Sequence, residues 1–440
     1  MLHPPGSGTA GVPMASLVER LGRSERWPAH RLHASQLAQL RTLLVHALTH
    51  SPLQRERLGL APDAAARIDW PAWRRLPTLA RATLQRHMDR IVVQALPAGH
   101  GKIHWTVTNG STGEPLRLAA TQRCQFQYGA LTLREHLWHR RDPGARLVVA
   151  RASAREGDYP NWGAPVAELY PTGPLRVLDV KHALAEQFRR IAAFDPHYLL
   201  TYASNAYALA AHAAAHDARL PSLREVRVFG ELPRPDLAEV LQRAFGATCA
   251  DVYSAEEIGP IAAQCAEHGN YHVHAEAVLL EILDEHGEAC PPGQIGRVVI
   301  TPLYNFATPL LRYELGDFAA FGEPCACGRG LPVLSRIAGR RRNMLVLPDG
   351  SRHWPSFPAW VWLPFPAIRK VQLVQTALDT VEVRMEAERD LDAAERERLF
   401  RSLRERLVWP HELRLCRVDS IRAAGSHKRE DFVSLVEPQA

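Results

Sequence analysis

The sequence predicts an α/β protein. It reads as a large N-terminal domain of mostly parallel sheets flanked by helices, carrying a β-rich subdomain, followed by a small α+β C-terminal domain. Three observations predict this. Between residues 100 and 335, short β-rich runs alternate with helical ones, the rhythm of strands joined by crossover helices. Within that span, "AVLLEILDEHGEACPPGQIGRVVITPL" reads as two strands joined by a loop rich in glycine and proline. A chain of 440 residues also exceeds one small core, so two or more domains are expected.

The elements follow in order. Residues 15 to about 100 read as helical, and "ASQLAQLRTLLVHALTH" has the clearest amphipathic spacing. "RRLPTLARATLQRHM" reads as a loop entering a helix, with Thr78 as candidate N-cap. "KIHWTV" is strand-like and leads into a glycine loop. Then "ARLVVAR", "HYLLTY", "LREVRVFG" and "TCADVYS" read as strands. Between them "VKHALAEQFRRIAAF", "SNAYALAAHAAAHDA" and "RPDLAEVLQRAFG" read as helices. After the arginine cluster "GRRRNM" at 339–344 the pattern changes. "KVQLVQTALDTVEVRMEA" looks like a hairpin, "DLDAAERERLFRSLRERLV" like a charged amphipathic helix and "ELRLCRVDSI" like a further strand. We place the domain boundary near 340–344, with residues 1–340 before it (helical to 100, the binding region at 101–340) and 341–440 after it.

Composition narrows the classes of function. The chain is 46% hydrophobic and 23% charged, as soluble globular proteins are. Its net charge of +6 comes from basic residues spread along the chain among acids, which argues against a nucleic-acid stripe. Lys102, Lys181, Lys370 and Lys428 are the lysines, against 49 arginines, so each lysine merits inspection. No apolar run reaches the roughly 18 residues of a membrane span, and no signal peptide is evident at the N-terminus. Seven cysteines are few and odd in number, which disfavours a disulfide framework and favours a cytoplasmic protein with reduced thiols or a metal site.

Several short stretches could carry chemistry. In "TVTNGSTGEPLRL", Gly110 and Gly113 let backbone approach an anion, and Ser111 and Thr112 add hydroxyls. A polar turn explains that loop equally well. "DVYSAEEIG" ends a strand with Tyr253, whose face can stack on a purine, and with Glu256 and Glu257, carboxylates suited to Mg²⁺. A surface pair capping a helix is the alternative. "NFATPLLRYELGDFAAF" gathers Arg312, Tyr313 and Asp317. Arg340 stands at the domain junction, and Lys428 lies in the glycine-containing "IRAAGSHKREDF".

As an ordered set these stretches resemble the adenylate-forming ligase superfamily, and within it the phenylacetate–coenzyme A ligase branch with its capsule-biosynthesis relatives. "TNGSTGEPL", "YSAEEIGPIAAQC", "YHVHAE", "VVITPLYNFATPLLRYELGDF", "CACGRGLPVLSRIAGR" and "GSHKRE" carry the match from residue 106 to 429. The resemblance implies ATP-dependent formation of an acyl-adenylate with release of pyrophosphate. The acyl group then passes to a thiol, coenzyme A; an amine, hydroxyl or carrier-protein acceptor in a natural-product or polysaccharide pathway is the alternative, and a noncatalytic nucleotide- or zinc-binding scaffold a further one. It implies that Thr108, Asn109, Gly110, Ser111, Thr112 and Gly113 hold phosphates of ATP. Gly230 and Glu231 of "FGELP" match the adenine-contacting segment. Tyr253 would stack on adenine, Glu257 would bind Mg²⁺, Asp317 would take the ribose hydroxyls and Arg340 would hold ribose and phosphate. Lys428 would bridge the substrate carboxylate and the α-phosphate, on a C-terminal lid that rotates about 339–344. A small carboxylic acid is the implied substrate and a homodimer the implied assembly, with no nucleic acid or membrane partner.

This chain departs from the family pattern at Glu114, where lysine is usual, at Ser254, Glu256 and Asn343. A structural Zn²⁺ site is also expected. Cys265 and His268 have C-x-x-H spacing and Cys325 and Cys327 follow in "CACG", a closed set of three thiolates and one imidazole. His272 competes with His268 for the fourth place.

Overall fold

The computed structural model describes residues 13–107, 116–152, 155–340, 343–353, 355, 357, 361, 364–404, 407, 410–421 and 431–436. Seven helices open the chain: α1 (Met14–Ser24), α2 (Ala29–His50), α3 (Pro52–Leu58), α4 (Pro62–Ala65), α5 (Trp70–Arg74), α6 (Arg81–Arg86) and α7 (Met88–Ile91). Their starts are written locally. Ser51 accepts a hydrogen bond from the Gln54 amide ahead of α3, and Asp69 accepts from the Ala72 amide ahead of α5, each with proline in the first turn. Thr78, expected as a cap, does not cap. Its hydroxyl donates to Glu314 at 2.6 Å, because a parallel bridge between Leu79 and Tyr313 holds the chain extended there, and α6 begins only at Arg81.

The hairpin β1 (Ile103–Val107) and β2 (Arg117–Thr121) flanks the glycine loop, which lies outside the described residues. Helix α8 (Gln122–Trp138) then leads into one sheet of twelve strands. Its parallel part runs β5 (Leu175–Leu178), β3 (Leu147–Ala150), β6 (Tyr198–Thr201), β7 (Glu225–Phe229) and β8 (Thr248–Ala255), with β4 (Gly157–Tyr159) antiparallel at the edge. The crossovers α9 (Leu184–Phe194), α10 (Ala203–Ala215) and α11 (Leu237–Phe245) bury an apolar face against it. Leu209 and Leu241 meet Val148, Val226 and Val228 with no exposure. Each such leucine contributes roughly 1.5–3 kcal/mol.

The β-rich stretch continues the same sheet: β9 (Gly259–Gln264), β10 (Tyr271–Val273), β11 (Val278–Leu283), β12 (Gly296–Pro302), β13 (Tyr313–Phe321) and β14 (Val333–Arg340). All its pairings are antiparallel, as short connections require, so the sheet as a whole is mixed and the expected parallel order is confined to the block from β5 to β8. Beyond Arg340 come the pair β15 (Leu345–Val346) and β16 (Arg352–His353) and a four-stranded sheet. That sheet is ordered β19 (Glu412–Arg417), β18 (Thr380–Ala387), β17 (Ile368–Ala377) and β20 (Phe432–Ser434), and helix α12 (Ala393–Arg404) packs with it in a separate apolar cluster. Among the described residues, no helix is long and apolar enough to cross a membrane.

Candidate active site

The carboxyl ends of the parallel strands point to one edge of the sheet, where open α/β folds bind ligands. Gly230 and Glu231 follow β7 there. Tyr253 lies two residues before the end of β8, and Glu256 and Glu257 form the tight turn into β9. These carboxylates therefore sit in a hairpin and cap no helix. Gly230 takes φ +74°, a left-handed turn that glycine adopts without strain. Glu231 accepts a hydrogen bond from the Ser204 amide at 2.8 Å, so its carboxylate braces the first turn of α10.

Asp317 and Arg340 come from the antiparallel half. They face each other across β13 and β14, with Arg340 Nε 3.6 Å from Asp317 Oδ1. The other carboxylate oxygen of Asp317 accepts from the Tyr253 hydroxyl at 2.8 Å. Tyr253 and Asp317, 64 positions apart in sequence, thus meet with Arg340 in one contact. Burial, reinforced by the Asp317 charge, lifts the Tyr253 phenol well above its ordinary pKa, so it stays a donor.

Glu257 has a partner that no motif pointed to. Arg81 Nη1 donates to Glu257 Oε1 at 2.7 Å and lies 3.4 Å from the Tyr313 hydroxyl. Burial opposes the Arg81 charge, but Tyr313 and Glu257 outweigh it and raise its pKa. Arg81 is one arginine among many in the sequence, and only the fold brings α6 to the β8–β9 turn. Arg312, grouped with the site in the sequence, faces elsewhere. Its guanidinium takes both oxygens of Glu281, at 3.0 and 3.2 Å, and donates to the carbonyls of Arg74 and Leu76. It clamps β11 to the opening helices. Trp162 is 5% exposed and donates its indole N–H to the Ala145 carbonyl, so it belongs to the core.

Thr108, Asn109, Gly110, Ser111, Thr112, Gly113 and Glu114 lie outside the described residues, as does Lys428. The junction they would serve is partly described. Asn343 donates to the Phe432 carbonyl of β20 at 2.6 Å, and Arg234 reaches from the large unit to the Phe357 carbonyl and toward Asp431, 3.9 Å away.

Four metal-ligating side chains converge beside β9 and β10. The donor atoms of Cys265, His272, Cys325 and Cys327 all lie within 4.8 Å of one another. Cys265 and Cys325 sulfurs are 4.0 Å apart, and Cys327 Sγ is 3.3 Å from His272 Nε2. Those spacings fit a tetrahedral zinc set with bonds near 2.0–2.3 Å. Among the described residues it is His272, the competitor of His268, that stands with the three cysteines. His272 is fully buried on β10, whereas His268 is exposed in the turn between the strands. C-x-x-H spacing favoured His268, but the hairpin turns that residue outward and returns the chain to the cysteines at His272. Burial and the Arg329 charge hold the His272 imidazole down at about 4, hence neutral, the form a metal takes.

A twisted mixed sheet with its site at the β7 and β8 ends, followed by a small α+β unit after Arg340, is the fold of the adenylate-forming ligases. The solved 2-hydroxyisobutyryl-CoA ligase, in the postadenylation state in complex with R3-HIB-AMP, superimposes with TM-score 0.76 over 98% of this chain and 95% of that one at 19% identity. Its open conformation in complex with 2-HIB-AMP and CoA gives 0.61 over 98% and 97%. The curated relatives narrow the resemblance. Phenylacetate-coenzyme A ligase of Thermus thermophilus is 26% identical over 391 residues, 82% of this chain and 83% of the relative. The enzyme of that name from Pseudomonas putida is 25% identical over 339 residues, 72% of each. The resemblance read from the ordered motifs is borne out. No model of a known protein family matches the chain.

Proposed function

We propose that this protein is an AMP-forming acid–thiol ligase. It activates a small carboxylic acid with ATP, releases pyrophosphate and passes the acyl group to coenzyme A. The observation that carries this reading is the Tyr253–Asp317–Arg340 contact at the strand ends, beside Glu257. Asp317 accepts the ribose hydroxyls, its position fixed from both sides by Tyr253 and Arg340. The Tyr253 ring offers a face to adenine beside the Gly230–Glu231 turn. Arg340 lies where it can offset charge on ribose and phosphate.

A carboxylate attacking an α-phosphate meets charge repulsion, so cations near the phosphates decide the rate. Glu257 is the carboxylate suited to hold Mg²⁺, which when bound would draw electron density from the phosphate oxygens. In the present state Arg81 neutralises Glu257, and a metal there would replace one cation by another. Lys428 supplies the mobile charge between acid and α-phosphate, carried on the residues after 340 as a lid. Residues 108–113 cradle the phosphates through their amides. Zn²⁺ held by Cys265, His272, Cys325 and Cys327 is structural, since four protein ligands leave no open position.

The test is a panel of small acids with ATP, Mg²⁺ and coenzyme A, read by mass spectrometry. AMP, pyrophosphate and an acyl-CoA thioester are expected. An amide, ester or carrier-bound product would move the acceptor, and ADP with phosphate would refute adenylation. Light scattering checks the expected pairing of two copies.

A further inference from the structure

A cavity of ≈ 810 Å³ opens over the antiparallel half of the sheet and includes none of the residues assigned to nucleotide or metal. Its size falls within the roughly 300–1,000 Å³ of small-molecule pockets. The floor and one wall are apolar: Trp70, Trp73, Leu279, Leu283 and Phe321. Polar groups on the floor are already used. Glu281 is closed by Arg312 and the Trp73 indole, and the Gln36 amide donates to the Ala275 and Val278 carbonyls.

The rim is different in kind. Arg74 and Arg75 are exposed, and neither makes an ion pair among the described residues. His33 and His286 stand beside them, and Glu288 is the exposed acid of the lining. Arg297 also lines the cavity but is engaged by Glu314 at 2.9 Å. An apolar trough with a saturated floor and exposed guanidinium groups at its mouth, of which Arg74 also bears on Glu281, selects an apolar body with a negative head.

We propose that this groove is a second ligand site, separate from the active site, for an amphipathic organic anion. The apolar part lies against Trp70 and Leu279, and a carboxylate, sulfonate or phosphate group meets Arg74 and Arg75, which can engage such groups in fork geometry. The proposal stands independently of the ligase reading, because its test measures binding alone.

The probe is 8-anilinonaphthalene-1-sulfonate titrated into the full chain and followed by fluorescence. One dye per chain should bind saturably, and more weakly as salt rises. Arg74→Gln with Arg75→Gln should weaken it about tenfold, while Arg74→Lys with Arg75→Lys retains most of the affinity. N-phenyl-1-naphthylamine, the same rings without the sulfonate, should bind wild type and the glutamine variant alike. Equal sulfonate affinity in wild type and the glutamine variant would overturn the proposal. So would competitive displacement of the dye by ATP, which would place it in the nucleotide site.

Discussion

Asp317 concentrates the chemistry of the site because two groups, Tyr253 and Arg340, converge on it from separate strands. Replacing it by asparagine keeps the shape and removes the charge that Tyr253 and Arg340 address. The expected loss is about 10- to 100-fold in kcat/KM for ATP, the weight of a hydrogen bond to a charged group, with the midpoint of thermal unfolding little changed. Initial rates at varied ATP check it, and an unaltered kcat/KM contradicts the ribose role. Arg312 makes the opposite prediction. Arg312→Met leaves the buried Glu281 carboxylate without its guanidinium, so stability should fall by roughly 3–5 kcal/mol in urea unfolding. Asp317, Arg340, Tyr253 and Glu257 were legible because each sits in a short motif whose order is informative. Arg81 was not, and His272 was legible only as a competitor of His268. Arg81 matters through a contact 176 positions away, and His272 competes with a nearer histidine that only the strand geometry turns outward.

At the scale of elements, the β9–β10 hairpin ties two features together. Its cysteine and histidine stand on one side of the sheet, and the Tyr271 hydroxyl donates to Asp251 of β8 at 2.7 Å, two residues before Tyr253. If zinc fills the cluster, chelation should lower the unfolding midpoint. His272→Ala should abolish zinc stoichiometry measured by atomic absorption, and His268→Ala should leave it intact. Loss of metal in the His268 variant alone would restore the original ligand set.

Asp251 gives a pH dependence. Burial pushes its carboxyl up to about 7 from an ordinary value near 3.8, against the Tyr271 hydrogen bond, which lowers it. Between those values the folded chain holds a proton that the unfolded chain has released. The contribution to stability is complete below 3.8 and is lost as pH rises towards about 7. Asp251→Asn should therefore gain stability relative to wild type between pH 4 and 7, measured by urea unfolding at each pH. A constant difference would show that Asp251 is already ionised in the fold. The strands and helices of this region were readable from period and composition, since alternation and crossovers follow from apolar spacing. That β9 to β14 extend the parallel sheet and do not form a separate layer was not readable, because strand neighbours depend on pairings across the whole chain.

On the scale of the molecule, the last strand of the twelve-stranded sheet in sequence, β14, ends at Arg340 and the four-stranded sheet follows it, with Arg234 reaching across to the Phe357 carbonyl and toward Asp431. In the proposed cycle the unit after 340 swings between adenylation, when Lys428 is at the acid, and thioester formation. Lys428→Ala should then lower adenylation by about a hundredfold or more while leaving hydrolysis or thiolysis of supplied acyl-AMP much less affected. Equal damage to both half-reactions would argue against a moving lid.

The central claim is that the strand-end site adenylates a carboxylic acid, and acid-dependent exchange of labelled pyrophosphate into ATP measures that step without any acceptor. Wild type should exchange only when a suitable acid and Mg²⁺ are present, and Glu257→Gln should abolish most of the exchange at ordinary Mg²⁺. Exchange that persists undiminished in the Glu257 variant, or that no acid in a broad panel supports, would contradict the account.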